Sequence, residues 1–265
     1  MGRVVRIALL VYLGVFLLAM LFENQLIFFP SKFPAGLWHP VGLGQEDVSL
    51  QSADGTRLHG WYVPHDKPAA FVLFCHGNAG NLTHRDDILR SLRDVVGVSV
   101  LIFDYRGYGR SEGRPSEAGI LADARGARRW LAQRAGIAEN QLVLMGESLG
   151  GAVAVDLAAD GGARGLILES TFSSLPDVAA YHYPWLPLRW LLRTKLDSAA
   201  KIKAYRGPLL QTHGDSDRIV PDRFGRRLFE AANQPKEFHV IPGGDHNDPR
   251  DRTYYEKLRA FVQGL

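Results

Sequence analysis

A serine flanked by glycines occurs twice in this chain, as Gly146-Glu147-Ser148-Leu149-Gly150 and as Gly109-Arg110-Ser111-Glu112-Gly113. The string alone carries little weight. With Gly and Ser each near ~7% of residues, about one chain of this size in ten contains it by chance. Context separates the two copies. The first follows Gln141 to Met145, a short apolar strand, and precedes a run of small residues from Leu149 to Ala159 that reads as a helix. Strand, sharp turn and helix with Ser at the apex is the setting of a nucleophile elbow, which holds a hydroxyl above the end of a sheet. The second copy lies in a Gly- and Arg-rich loop after the strand Val98 to Asp104, with Pro115 close behind. It reads as a loop, and Ser111 as a non-nucleophile.

A serine hydroxyl is a poor nucleophile at neutral pH. It needs a base to take its proton and an acid to orient that base. On a parallel sheet the expected chain order is Ser, then Asp or Glu, then His, each in a loop at a strand's C-terminal end. The loop His213 to Pro221 offers Asp215 and Asp217. Asp217 is favoured, because Asp215 lies nearer the strand end and suits the turn. The loop Ile241 to Asp248 is tightened by Gly243 and Gly244 and carries His246 as its exposed imidazole. Asp245 and Asp248 read as loop and helix-capping groups. An oxyanion hole needs two backbone N–H groups. One is expected from Leu149, the residue after the nucleophile. The other is expected from Asn78, in the Gly-rich loop Cys75 to Asn81. His76 precedes Ser148 and reads as a structural hydrogen-bonding residue. This chemistry requires no metal and no organic cofactor.

Short apolar strands must position these loops. They are expected at 47–51, 57–63, 71–75, 98–104, 141–145, 165–169, 208–213 and 237–241. Helices are expected at 82–93, 116–134, 222–232 and 250–262, and after Ser148. The alternation predicts an α/β fold: a mostly parallel, doubly wound sheet with helices on both faces. The catalytic domain is placed at 46–265. One insertion, about 172–206, is too long for a simple crossover. Its Tyr181, Tyr183, Trp185 and Trp190, punctuated by Pro184 and Pro187, predict a small helical cap.

The N-terminus differs in kind. Ile7 to Phe22 is unbroken apolar sequence, close to the lower limit for a membrane span. No good small-x-small cleavage site follows, so an uncleaved anchor over 1–25 is favoured over a signal peptide. Residues 26–45 read as a linker. Arg3 and Arg6 precede the span, which puts the N-terminus in the cytoplasm and the catalytic domain outside it. The net charge is +3 and there is no long basic run, so nucleic acid is not an expected partner. Cys75 is the single cysteine. It excludes an intramolecular disulfide and reads as a buried structural thiol.

Taken together, these segments resemble the alpha/beta-hydrolase superfamily, and within it the membrane-anchored branch of alpha/beta-hydrolase-domain proteins. The likeness is carried by His76-Gly77-Asn78-Ala79-Gly80-Asn81, Phe103 to Gly113, Gly146 to Gly151, His213 to Asp217 and Gly244 to Asn247, with Leu26 to Pro30 after the anchor. It implies a Ser148–Asp217–His246 triad, an oxyanion hole from Asn78 and Leu149, and a structural role for the Ser111 loop. It implies a serine hydrolase of esters or thioesters acting on a small-molecule or lipid-like acyl substrate. An acyltransferase, a serine peptidase and a silent membrane-anchored binding protein are the alternatives on the same frame. Asp245 departs from the family pattern, where a small residue is commoner, and is a potential influence on His246.

Overall fold

The computed structural model describes residues 2–265. In chain order the helices and strands begin with α1 (Gly2–Leu21), α2 (Glu23–Ile27), β1 (Phe29–Pro30), β2 (Glu46–Gln51), β3 (Arg57–Val63), β4 (Phe71–Cys75) and β5 (Ala79–Gly80). Next come α3 (Asp86–Ser91), β6 (Ser99–Phe103), α4 (Glu117–Ala135), β7 (Val143–Glu147), α5 (Leu149–Gly161) and β8 (Gly165–Glu169). The remainder is α6 (Leu175–His182), α7 (Leu188–Leu191), α8 (Ser198–Lys201), β9 (Leu209–Gly214), α9 (Asp222–Ala231), β10 (Lys236–Ile241) and α10 (Arg252–Gln263).

Eight strands form one sheet in the order β10-β9-β8-β7-β4-β6-β3-β2. Pairing is parallel from β10 through β6, whereas β3 and β2 add antiparallel at one edge. The central strands are apolar at nearly every position because both faces are covered. Successive side chains point to opposite faces. Leu73, Cys75, Leu101, Phe103 and Leu144 enter the core under α4 and α5. Val72, Phe74, Val100, Ile102 and Met145 enter a second core under α3 and α10. Each fully buried Leu or Val contributes about 1.5–3 kcal/mol, so the sheet is held from both sides.

Local signals set the helix ends. Ser116 caps α4 by accepting from the Gly119 N–H, and Gly136 closes it at φ 66°. Asp251 caps α10 by accepting from the Tyr254 N–H. The capping role expected of Asp245 and Asp248 therefore falls to Asp251, since the Asp248 carboxylate accepts from the Asp245 N–H inside the preceding loop. The helix expected over 82–93 is three pieces: a 3-10 turn at Leu82–Arg85, α3, and a π turn at Leu92–Val96. Its last turn is widened because the Gly97 N–H bonds back to the Leu92 carbonyl.

Between β8 and β9 the chain leaves the sheet and forms α6, α7 and α8. Glu117 of α4 fastens this excursion by accepting from the Lys195 and Leu196 N–H groups. Lys201 reaches Asp156 of α5 at 2.6 Å.

α1 is a 20-residue apolar helix with mean hydropathy 2.6, and none of its residues is buried. Residues 26–45 are no loose tether. β1 pairs in parallel with β5, Phe33 N–H donates to the Gly109 carbonyl, and Trp38 and Leu43 are buried. Two-residue strands carry no readable periodicity, so the sequence shows only an irregular stretch.

The α4–β2 contact yields a stability test. A Cβ at Gly126 would lie 2.2 Å from the Gln51 carbonyl oxygen. Gly→Ala inside a helix ordinarily stabilises by about 1 kcal/mol. Here Gly126→Ala is expected to destabilise by about 1–3 kcal/mol through overpacking, read as a lower denaturant midpoint in detergent. A raised midpoint would contradict the contact.

Candidate active site

The elbow is built by glycines that let α5 press against β4. A Cβ at Gly150 would lie 2.0 Å from the Cys75 carbonyl oxygen, and one at Gly146 would lie 2.3 Å from the Gly150 oxygen. The turn between β7 and α5 is correspondingly sharp, and Ser148 adopts φ 53°. A non-glycine residue at positive φ is uncommon and costs about 1–3 kcal/mol. The turn is held by Ser148 N–H donating to the Glu169 carbonyl at 2.8 Å and by Thr171 Oγ1–H donating to the Ser148 carbonyl at 2.7 Å.

Three of the expected residues converge at the C-terminal ends of β7, β9 and β10. His246 Nε2 lies 3.1 Å from Ser148 Oγ. His246 Nδ1 lies 2.7 Å from Asp217 Oδ2. A carboxylate only accepts, so Nδ1 carries the proton and Nε2 is left to accept from the serine hydroxyl. Burial alone would raise the Asp217 carboxyl. Hydrogen bonds from His213 and His246 and from the Val220 N–H outweigh it and hold the group well below the usual carboxylate range. Asp217 therefore stays ionised opposite the ring. The Asp217 Oδ1 atom is fixed by the Ile219 and Val220 N–H groups at 2.9 and 2.7 Å. Asp215 instead accepts from the Gly243 N–H at 2.7 Å, tying the Asp loop to the His loop.

The Asp245 carboxylate is bound by groups other than the imidazole. It accepts from the His246 N–H at 2.8 Å and pairs with the Arg218 side chain and N–H. Those bonds, from the Arg218 N–H first and the His246 N–H next, bring its carboxyl down to about 2. The residue acts as a second clasp between the two loops.

The Leu149 N–H stands at the first turn of α5, where backbone N–H groups lack helical partners and the helix dipole favours negative charge. Among the described residues neither it nor the Asn78 N–H has a backbone acceptor outside regular elements. The Asn78 side chain is engaged elsewhere. It donates to the Ile27 carbonyl and accepts from the Tyr108 hydroxyl at 2.9 Å and the Phe29 N–H at 3.3 Å. The segment behind α1 thus holds the loop that carries Asn78. His76 is completely buried and donates from Nδ1 to the Gly77 carbonyl at 2.7 Å. Burial pushes its imidazole down to about 4, so it is neutral at pH 7.

Ser111 is 8% exposed. Its hydroxyl donates to the Asp104 carbonyl at 2.7 Å and accepts from the His59 N–H at 2.9 Å. Both capacities are spent on the backbone, as suits a bracket between loops. The Cys75 thiol is buried and burial pushes it far up, which leaves it unreactive. No group of three His, Cys, Asp or Glu side chains among the described residues is arranged to hold a metal.

Two supports were not apparent from sequence. Arg250 donates to Glu169 at 2.6 Å, and the buried Tyr254 hydroxyl donates to the other Glu169 oxygen at 2.6 Å. Arg85 pairs with Glu147, the residue before the nucleophile, at 3.4 Å. A Glu ending each of two adjacent apolar strands, β7 and β8, was the available signal.

Residues 66–197 match the family model described as serine aminopeptidase, S33. That span includes Ser148 and stops before Asp217 and His246. The chain is 43% identical to the uncharacterized protein Rv2307c of Mycobacterium tuberculosis over 98% of this chain and 94% of that one. It is 33% identical to the alpha/beta hydrolase domain-containing protein WAV2 of Arabidopsis thaliana over 86% of this chain and 82% of that one. Among solved structures it is similar in fold to the Pyrococcus furiosus esterase Pf2001, with TM-score 0.70 and 19% identity, covering 90% of this chain and 96% of that one.

The two aspartates of the β9 loop are separable by experiment. Asp217→Asn removes the acceptor that fixes the ring tautomer and is expected to lower kcat on an activated ester by about 10⁴-fold. Asp215→Asn keeps a side-chain oxygen able to accept from the Gly243 N–H and does not meet the imidazole, so it is expected to stay within about tenfold of the parent, a loss below about 1.4 kcal/mol. The reverse ranking would assign the orienting acid to Asp215.

Proposed function

This chain belongs to the alpha/beta-hydrolase superfamily, and on that premise we propose that it is a serine hydrolase cleaving carboxylic esters or thioesters. The observation that carries the proposal is the unbroken contact series from Asp217 through His246 to Ser148, at 2.7 and 3.1 Å. His246 Nε2 takes the Ser148 proton as Oγ attacks the carbonyl carbon. Asp217 keeps the ring in the tautomer that can do so and stabilises the imidazolium that results. The developing oxyanion is met by the Leu149 and Asn78 N–H groups, each such donor being worth about 3 kcal/mol. His246 then protonates the departing alcohol or thiol. Water, deprotonated by the same imidazole, hydrolyses the acyl-enzyme and returns the hydroxyl to Ser148.

The acyl group in this proposal is hydrophobic. The cap's exposed aromatic side chains and the apolar α1 support that reading. α1 serves as a single-pass anchor with the hydrolase domain outside the cytoplasm, following the placement of Arg3 and Arg6 before the span. The matched family model raises an aminopeptidase as the second reading. A free substrate amine needs an unpaired carboxylate near the serine. The two carboxylates on either side of the elbow, Glu147 and Glu169, are already paired with Arg85 and Arg250, which favours the esterase reading.

A fluorophosphonate probe on the full chain in detergent tests the nucleophile. Labelling is expected to vanish in Ser148→Ala and persist in Ser111→Ala. Medium-chain esters are expected to be turned over with higher kcat/KM than acetyl esters and aminoacyl amides. Loss of labelling in Ser111→Ala alone, or preference for aminoacyl amides, would contradict the proposal.

A further inference from the structure

The cap and α1 are clamped together. Glu23, 2% exposed, accepts from the Thr194 N–H at 2.7 Å and the Arg193 N–H at 3.1 Å. The Arg193 side chain reaches the same carboxylate and donates to the Met20 carbonyl at 2.7 Å. Further along, the Tyr12 hydroxyl donates to the Trp185 carbonyl at 3.2 Å. Tyr12 stands nine residues before Leu21, about 14 Å along the helix. The cap edge therefore runs beside the last turns of α1 and is not held at a distance by a tether. Breaking the clamp would strand a buried carboxylate, which is strongly destabilising.

That edge is apolar and unpartnered. Trp190 is 85% exposed, Trp185 66% and Tyr183 52%. Phe22, Leu26 and Phe29, on the segment that follows α1, are also exposed. The Arg189 and Arg193 side chains lie in the same segment, each more than half exposed and each paired with a carboxylate, Asp177 and Glu23. Indole and phenol rings favour the boundary between lipid headgroups and acyl chains, where the ring is covered and its polar atom stays wet. An apolar patch rimmed by charge marks an interaction surface. Its continuity with α1 decides the occupant, since any surface fixed beside a helix in lipid must meet that same lipid.

We propose that the cap edge carrying Tyr183, Trp185 and Trp190 dips into the bilayer leaflet that the C-terminal half of α1 enters, and that the hydrolase takes its acyl substrate from that bilayer. The inference rests on the reading of α1 as an anchor. The cap is also bound to the catalytic loop, with His182 Nε2 donating to the Ile219 carbonyl at 2.8 Å and Asp177 pairing with Arg227 of α9. Seating the cap in lipid thus sets the distance from the membrane to Asp217 and its partners.

The test uses the full chain reconstituted into vesicles of phosphatidylcholine and phosphatidylglycerol. Trp190→Cys and Asn140→Cys, each carrying a nitrobenzoxadiazole dye, report the two ends of the domain, and the buried Cys75 does not compete for label. Dye at 190 is expected to emit blue-shifted and to be quenched by lipids carrying a shallow nitroxide. Dye at 140, on the opposite end of the sheet, is expected to emit as in water and escape quenching. Vesicle flotation reads α1 independently of the cap. Protein that floats with an aqueous, unquenched dye at 190 overturns the cap inference and leaves the anchor standing. Protein that does not float overturns both. A blue shift without lipid quenching would put another protein surface over Trp190, and would equally overturn the inference.

Discussion

The site depends on one close approach, the backbone of α5's first turn against the end of β4. Gly150 meets the Cys75 carbonyl with no room for a side chain, and Gly146 meets Gly150 in the same way. With strand and helix that close, the turn joining them is sharp, and Ser148 takes φ 53°. The strain is offset by the Glu169 and Thr171 bonds to the Ser148 backbone and by two cores that bury both sheet faces. The same tightness delivers the chemistry. It lifts the hydroxyl out of the strand and leaves the Leu149 N–H at a helix N-terminus, where negative charge is favoured.

The remaining groups arrive on loops, and loops need fastening. The Asp and His loops are cross-linked by Asp215 to the Gly243 N–H, by Ser216 N–H to the Gly244 carbonyl, and by Arg218 to Asp245. The Asn78 loop is fastened from another quarter, by Ile27 and Phe29 of the segment behind α1. An N-terminal stretch that looks peripheral is in this way part of the scaffold of the oxyanion loop. Glu23 carries the same connection to the cap.

Most of the architecture was legible because its signals are periodic or punctuated. Apolar runs of five or six residues separated by amphipathic helices specify a mostly parallel sheet covered on both faces. The order Ser148, Asp217, His246 was legible because each residue sits in a loop directly after such a run. What sequence did not show has no period. β1 and β5 are two residues each and are defined only by pairing with one another. The Arg250–Glu169–Tyr254 set joins residues more than 80 positions apart. The capping role expected of Asp248 passed to Asp251 because three aspartates stand within seven residues, and which one meets a free N–H depends on the turn around Pro249.

The central claim is that Ser148, activated through His246, forms a covalent acyl intermediate. The most direct measurement is peptide mapping by mass spectrometry after rapid acid quench of the full chain mixed with an activated medium-chain ester. The account predicts one acyl group per chain, on the peptide containing Ser148, decaying as product forms. Acylation at Ser111 or elsewhere, or turnover of the ester with no acylated peptide at any quench time, would contradict it.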